Sequence, residues 1–207
     1  MLFQTMNKRN RVDVYVASLP ESSMDAPIYP EERCAEILSV TDETARREKY
    51  FVWRLLEHAV KASLGCALSE LGLSKKNGKW TSDKVEMSLS HAGGGLVVAL
   101  SGSSVGVDIE PLQKIDRDRV AHRFLTKREL SVYSMTENTE REEGFLRIWT
   151  AKEAIFKSRS EQAFAPSTID STVYSVYTDK IIVGGDEYII SAFTLEESEI
   201  NLYNIIL

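Results

Sequence analysis

Two short segments carry the side chains of this chain best suited to chemistry. Gly106-Val107-Asp108-Ile109-Glu110 alternates charged and small or apolar residues, and Trp149-Thr150-Ala151-Lys152-Glu153-Ala154-Ile155-Phe156-Lys157 places Trp149, Glu153 and Lys157 four residues apart. In a strand, alternate side chains share a face, so Asp108 and Glu110 project together with their Cα atoms about 6.6 Å apart. Paired carboxylates repel one another unless a cation neutralises them. A few hard oxygen ligands suit Mg²⁺, which keeps several waters and takes phosphate oxygens as further ligands. In a helix, Trp149, Glu153 and Lys157 fall on one stripe. Three carboxylates and a lysine are what is needed to hold a divalent metal against a phosphate ester.

The same patterns also fit plain structure. Val107 and Ile109 packed inward with the charges in water describes many half-buried strands. Glu153 and Lys157 could form a surface ion pair worth about 0.2–0.5 kcal/mol. Trp53, Glu57 and Lys61 repeat the spacing of the second segment with no Asp-x-Glu segment in the matching place. Spacing alone therefore does not mark a site, and the combination carries the signal.

The elements that must position these residues can be read from periodicity and punctuation. Val12, Val14 and Val16 alternate as a strand over 11–18. Pro30 opens a short helix to about Leu38, and Thr41 or Asp42 can cap a long one from about Asp42 to Leu64. Gly65 need not end that helix, whereas Gly72 does. Lys75 to Lys79 reads as a polar loop. Val85, Met87 and Leu89 alternate as a strand, Ala92 to Gly95 turn, Leu96 to Ser101 form a second strand, and Gly102 to Ser104 turn into the Asp108 strand. Thr126 followed by Glu129 is a capping-box signature for a helix through Tyr133. The helix bearing Glu153 runs from about Glu140 to Ser158. Residues 172–207 read as strands with Gly184-Gly185 as a hairpin turn. Each half of the chain thus runs from a strand through helices to strands. The expected fold class is α+β, a pseudo-twofold pair of similar α/β halves, 1–104 and 105–207, with an active-site cleft between them.

Composition bounds the function classes. The 207 residues are 43% apolar, with no run near the roughly 20 residues that span a membrane and no apolar leader over Met1 to Arg11. Cys34 and Cys66 are isolated, which fits a reducing cytoplasm and argues against a zinc site. A net charge of −6 argues against general nucleic-acid binding. All of that charge lies in residues 106–207, with 12 basic and 18 acidic side chains. Within that acidic half, Lys114, Arg117, Arg119, Arg123, Lys127 and Arg128 oppose only Asp116 and Asp118. The patch suits either a specific acidic partner or a solvated helix face. Of the histidines, His58 reads as structural, His122 as exposed, and His91 lies at a strand end before the glycine turn.

Gly-Val-Asp-Ile-Glu followed by Trp-x2-Lys-Glu-Ala-x2-Lys resembles the 4′-phosphopantetheinyl transferases, and the length and motif order resemble their Sfp-type branch, with two similar halves in one chain. Ser88-Leu89-Ser90-His91 resembles the family's Ser-His element, and Phe124-Leu125-Thr126-Lys127-Arg128-Glu129 its Phe-(Ser/Thr)-x-x-Glu element. The resemblance implies that Asp108, Glu110 and Glu153 bind Mg²⁺ or Mn²⁺. It implies further that Glu153 acts as base, that Lys157 meets the pyrophosphate, and that Ser90 and His91 grip phosphate. Arg54 sits where the family often has a basic residue and, with Lys79, would contact the nucleotide end of coenzyme A. The family often has Gly-Lys-Pro where this chain has Gly78-Lys79-Trp80, which leaves the direction of Lys79 open. Leu112 to Arg128 would dock an apo acyl or peptidyl carrier protein, with the enzyme a cytoplasmic monomer. A Mg²⁺-dependent phosphohydrolase and a non-catalytic binder of coenzyme A or carrier protein are the other classes compatible with these residues.

Overall fold

The computed structural model describes residues 11–113, 117–137, 140–159 and 163–207. Strand β1 (Arg11–Ser18) is followed by helices α1 (Glu31–Leu38) and α2 (Glu43–Leu64), a hairpin of β2 (Ser74–Lys76) and β3 (Lys79–Thr81), and strands β4 (Glu86–Ala92) and β5 (Gly95–Ser101). The second half repeats the plan. Strand β6 (Val105–Pro111) precedes helices α3 (Asp118–Phe124), α4 (Lys127–Met135) and α5 (Arg141–Ser158), then strands β7 (Tyr177–Val183) and β8 (Asp186–Thr194). In each half the first strand pairs antiparallel with the second strand of the closing hairpin, giving β4-β5-β1 and β6-β8-β7. This is the pseudo-twofold α+β plan expected from the sequence. The last strand, β9 (Glu199–Ile205), crosses to the first sheet and runs parallel to β1.

The layers follow from which faces are apolar. β1 is buried on both faces, because Tyr15 and Ala17 pack under α2 while Val12, Val14 and Val16 pack against the second sheet. The order through the molecule is α2, first sheet, second sheet, α5. Asp13, on the α2 face of β1, is 1% exposed and is satisfied by Arg11 (2.6 Å) and Ser63 (2.8 Å), as a buried carboxylate requires.

Local structure differs from expectation in three places. Gly65 does end α2, in a left-handed conformation (φ 70°), and a separate 3-10 turn over Leu68–Leu71 leads to Gly72. The stretch expected as a loop over 75–79 is the β2–β3 hairpin, turning at Asn77 and Gly78. Its anchor is Glu36 of α1, which accepts hydrogen bonds from Lys75 and from Trp80 Nε1 (3.0 Å), contacts too far apart in sequence to leave a periodic signature. The basic stretch 117–128 holds helix α3, whose bounds the periodicity did not give, and Lys114 and Asp116 lie outside the described residues. The Trp53 copy of the Trp-x3-Glu-x3-Lys spacing is structural: Trp53 is 1% exposed and donates its indole N–H to Tyr29 O (2.7 Å).

Two features fix α5. Lys152 and Glu129 are both fully buried and paired. Lys152 Nζ also donates to Pro166 O (2.9 Å), and Glu129 accepts from Thr126 N (2.8 Å) and Ser171 N (2.8 Å). Breaking such a pair by removing one partner costs about 3–5 kcal/mol, so it ties α4, α5 and the 166–171 segment together. The second feature is Gly106, which shares a strand face with Asp108 and Glu110. A Cβ placed there would lie 1.8 Å from Ala154 O and 2.6 Å from Ser158 N. The backbone of β6 thus lies directly on that of α5, and no side chain but hydrogen fits between them. Gly106→Ala should lower unfolding free energy by about 1–3 kcal/mol or more, read from the midpoint of urea unfolding. An unchanged midpoint would mean that α5 slides freely over β6.

Candidate active site

The site lies where the edge strands of the two sheets meet. β4 and β6 lie side by side and are joined through side chains: Val107 N donates to Ser88 Oγ (3.1 Å), and Ser90 Oγ donates to Asp108 Oδ1 (2.7 Å). From α5, Lys157 Nζ donates to Asp108 Oδ1 (2.7 Å) and to Ser90 Oγ (2.8 Å), and lies 4.0 Å from Glu153 Oε2. The residues of the two chemical segments converge as their periodicities require, with Asp108 and Glu110 on the face of β6 toward α5 and Glu153 and Lys157 one turn apart on that helix.

The electrostatics are those of crowded carboxylates. Asp108 is 3% exposed, and its Oδ2 is buried without a partner among the described residues. Burial and the neighbouring Asp108 push the Glu110 carboxyl up to about 7, with Glu153 adding to the rise while Arg117 and Lys157 oppose it. Burial and then Asp108 also raise Glu153, against the pull of Lys157. An orphaned carboxylate oxygen and two neighbours reluctant to ionise fit the environment a cation would relieve. Among the described residues, no three such side chains already stand at metal-ligand spacing. Lys157 supplies the positive charge nearest Asp108.

The other expected residues are distributed around this centre. His91 Nδ1 lies 3.0 Å from Glu48 Oε2 of α2. Lys79 Nζ donates to Lys157 O (2.7 Å), which bridges the β2–β3 hairpin to the end of α5. Trp80 itself is buried edge-on against Trp53. Arg54 stands apart, paired with Glu57 one turn along its own helix. Arg117, read as part of a surface patch, turns inward onto Glu142 (3.1 Å) and the Phe145 ring, within electrostatic reach of Glu110. Arg123 and Lys127 remain exposed.

A groove of about 420 Å³ opens beside Lys157, walled by Arg33, Trp53, Lys79, Trp80, Phe156 and Arg159. Cationic and aromatic walls suit an anionic nucleotide. Sequence reasoning missed Arg33 and Arg159. Arg33 sits on the Trp53 ring (4.8 Å) with its Nε buried and unpartnered among the described residues, a placement that depends on α1 packing against α2 and has no motif. Arg159, two residues beyond Lys157, could have been found by extending the second segment. A larger groove of about 840 Å³ along 173–177 and 192–200 holds none of the candidate residues.

The Glu110 shift sets a pH dependence for the metal-free protein. Its folded-state value lies above the ordinary 4.5, so the fold favours the protonated carboxyl and its stability contribution declines as pH rises from about 4.5 through about 7. Glu110→Gln should flatten the fall in thermal midpoint between pH 5 and pH 8 in the presence of EDTA. An unaltered slope would show that Glu110 ionises freely.

Comparison with known proteins agrees with this geometry. Residues 104–179, which include Asp108, Glu110, Glu153 and Lys157, match the family model of the 4′-phosphopantetheinyl transferase superfamily. The chain is 33% identical over 143 residues to the 4′-phosphopantetheinyl transferase AcpT of Escherichia coli O157:H7, covering 63% of this chain and 67% of the relative. It is 38% identical over 96 residues to AcpT of Escherichia coli K12, covering 42% and 46%. With a relative this similar over two thirds of its length, and with the two chemical segments inside the matched region, the chain belongs to the 4′-phosphopantetheinyl transferase superfamily and is an enzyme of that class.

Proposed function

We propose that this enzyme transfers the 4′-phosphopantetheine arm of coenzyme A to a serine hydroxyl of an apo acyl or peptidyl carrier protein, releasing adenosine 3′,5′-bisphosphate. The observation that carries this reading is the cluster of Asp108, Ser90 and Lys157, flanked by half-buried Glu110 and Glu153 and opening onto a cationic, aromatic groove. The Escherichia coli relatives are named as 4′-phosphopantetheinyl transferases, which supports transfer of that group.

Displacement at phosphorus asks a protein mainly to position the reactants and offset charge. Lys157, held by Asp108 and Ser90, meets the pyrophosphate oxygens in this reading. A divalent cation, Mg²⁺ or Mn²⁺, held by Asp108, Glu110 and Glu153, would when bound neutralise charge on the leaving phosphate. Serine hydroxyls are weak nucleophiles at neutral pH and need a base. Glu153, one helical turn from Lys157, is the carboxylate that takes that role. The serine proton passes to the Glu153 carboxylate as the serine oxygen bonds to phosphorus and the phosphoanhydride bond to the adenosine phosphate breaks. Ser90 and His91 hold phosphate, and Lys79 and Arg54 serve the nucleotide end, Arg54 by exchanging Glu57 for substrate.

In this reading residues 1–104 form the coenzyme A side and residues 105–207 the metal and carrier side. The carrier docks near Leu112 to Arg128, with exposed Arg123 and Lys127 attracting its acidic surface. The enzyme acts as a monomer in the cytoplasm, and no helix among the described residues is long and apolar enough to cross a membrane.

The direct test is the intact mass of an apo carrier protein after incubation with the enzyme, coenzyme A and Mg²⁺. A gain of one phosphopantetheine, abolished by EDTA, is expected. Release of free phosphopantetheine with no gain on any carrier would indicate hydrolysis instead. Glu153→Gln should reduce kcat by about 10²–10⁴-fold while coenzyme A binding, followed by calorimetry, persists. Wild-type turnover would remove Glu153 from the chemistry. Reversing Arg123 and Lys127 to Glu should weaken carrier affinity and flatten its salt dependence. Unchanged affinity would move the docking face elsewhere.

A further inference from the structure

Glu48 is a carboxylate 8% exposed, on the α2 face that packs under the first sheet, and neither chemical segment includes it. A charged group in that position requires partners, and it has two. Oε1 accepts from Gly94 N (2.8 Å), and Oε2 lies 3.0 Å from His91 Nδ1. Both partners belong to one turn, at the end of β4 and the start of β5. Gly94 is left-handed there (φ 84°), with its carbonyl accepting from Leu19 N (2.7 Å), while Gly93 O accepts from Tyr188 Oη (2.7 Å) of β8. The turn is therefore fastened from the end of β1, from β8 and, through Glu48, from α2.

This arrangement decides how the imidazole is used. With Nδ1 committed to Glu48, Nε2 is the ring nitrogen left for another partner. The charged groups facing the ring are Glu48 and Lys49 from α2 and Lys157 from α5. Burial is the largest influence and lowers the His91 value, the two lysines push the same way, and Glu48 opposes them. Without Glu48, nothing on α2 or α5 would favour a ring that donates from both nitrogens.

We propose that Glu48 is a positioning residue, which grips His91 through Nδ1 and pins the β4–β5 turn so that Nε2–H is presented to a phosphate of coenzyme A. The proposal rests on the reading of His91 as a phosphate contact. It makes α2, from the half without the carboxylate triad, responsible for the orientation of a group at the sheet seam.

Glu48→Gln provides the test, because its amide oxygen can still accept from Gly94 N while its NH2 group cannot accept a proton from Nδ1. In ¹⁵N-histidine NMR the substitution should move the His91 Nδ1 resonance and lower the ring's titration midpoint. The KM for coenzyme A should rise about tenfold, the loss of one charge-assisted bond, with kcat within about twofold, and lower pH should restore part of the loss. In a double-mutant cycle, Glu48→Gln should add nothing to His91→Asn, a result that a merely structural clamp would not produce. An unshifted His91 resonance, or additive losses in the cycle, would overturn the proposal. If His91→Asn kept the wild-type KM although Glu48→Gln moved the resonance, the phosphate role of His91 would fall, and the positioning role with it, while the Glu48–His91 contact would stand.

Discussion

The active-site geometry depends on one place where two backbones touch. At Gly106 the carbonyl of Ala154 occupies the space a Cβ would need, 1.8 Å from its ideal position. Strand faces alternate, so the position that admits the helix is also the position that puts Asp108 and Glu110, two and four residues on, toward the same helix. Helix periodicity then brings Glu153 and Lys157, one turn apart, over them. Any larger residue at Gly106 would force helix and strand apart and separate the carboxylates from the lysine together.

Around that contact the protein holds charges in positions they would not choose in water. Asp108 Oδ1 is satisfied by Ser90 and Lys157 while Oδ2 has no partner among the described residues. Glu110 and Glu153 are both raised toward neutrality by burial and by Asp108. The cost is carried by the surrounding framework, above all the buried Glu129–Lys152 pair and the Trp149 ring wedged between Phe124, Phe145 and Phe164. These contacts fix α5 and leave Glu153 and Lys157 half-buried at the site.

Similar sequence patterns have different roles in the two halves. Trp53, Glu57 and Lys61 share the spacing of Trp149, Glu153 and Lys157, yet Trp53 is core and Glu57 pairs with Arg54 on its own helix. The difference is in the strand opposite. β1, the counterpart of β6, turns one acidic side chain toward α2, Asp13, and it is buried and paired with Arg11 and Ser63, whereas β6 presents both Asp108 and Glu110 to α5. The pseudo-twofold plan thus repeats the architecture of each half, and the chemistry is placed in the second.

The sequence by itself determined most of the elements and the faces that carry the central cluster. Alternation and helical spacing are local properties, so β6, α5, the Thr126 capping box, and the faces bearing Asp108, Glu110, Glu153 and Lys157 could be read from neighbouring residues. Only the tertiary structure decided what faces what across the chain. Lys79 bonds the carbonyl of Lys157, Glu48 holds His91, Glu36 anchors the β2–β3 hairpin, and Arg33 and Arg159 join the groove. β9 also leaves the second half to pair with β1. Each of these joins residues tens of positions apart, and which pairs meet is set by how two sheets and their helices stack to bury apolar faces. No periodicity within a single segment encodes that stacking, and Arg117, read as surface but turned inward onto Glu142 and Phe145, shows the consequence for a single side chain.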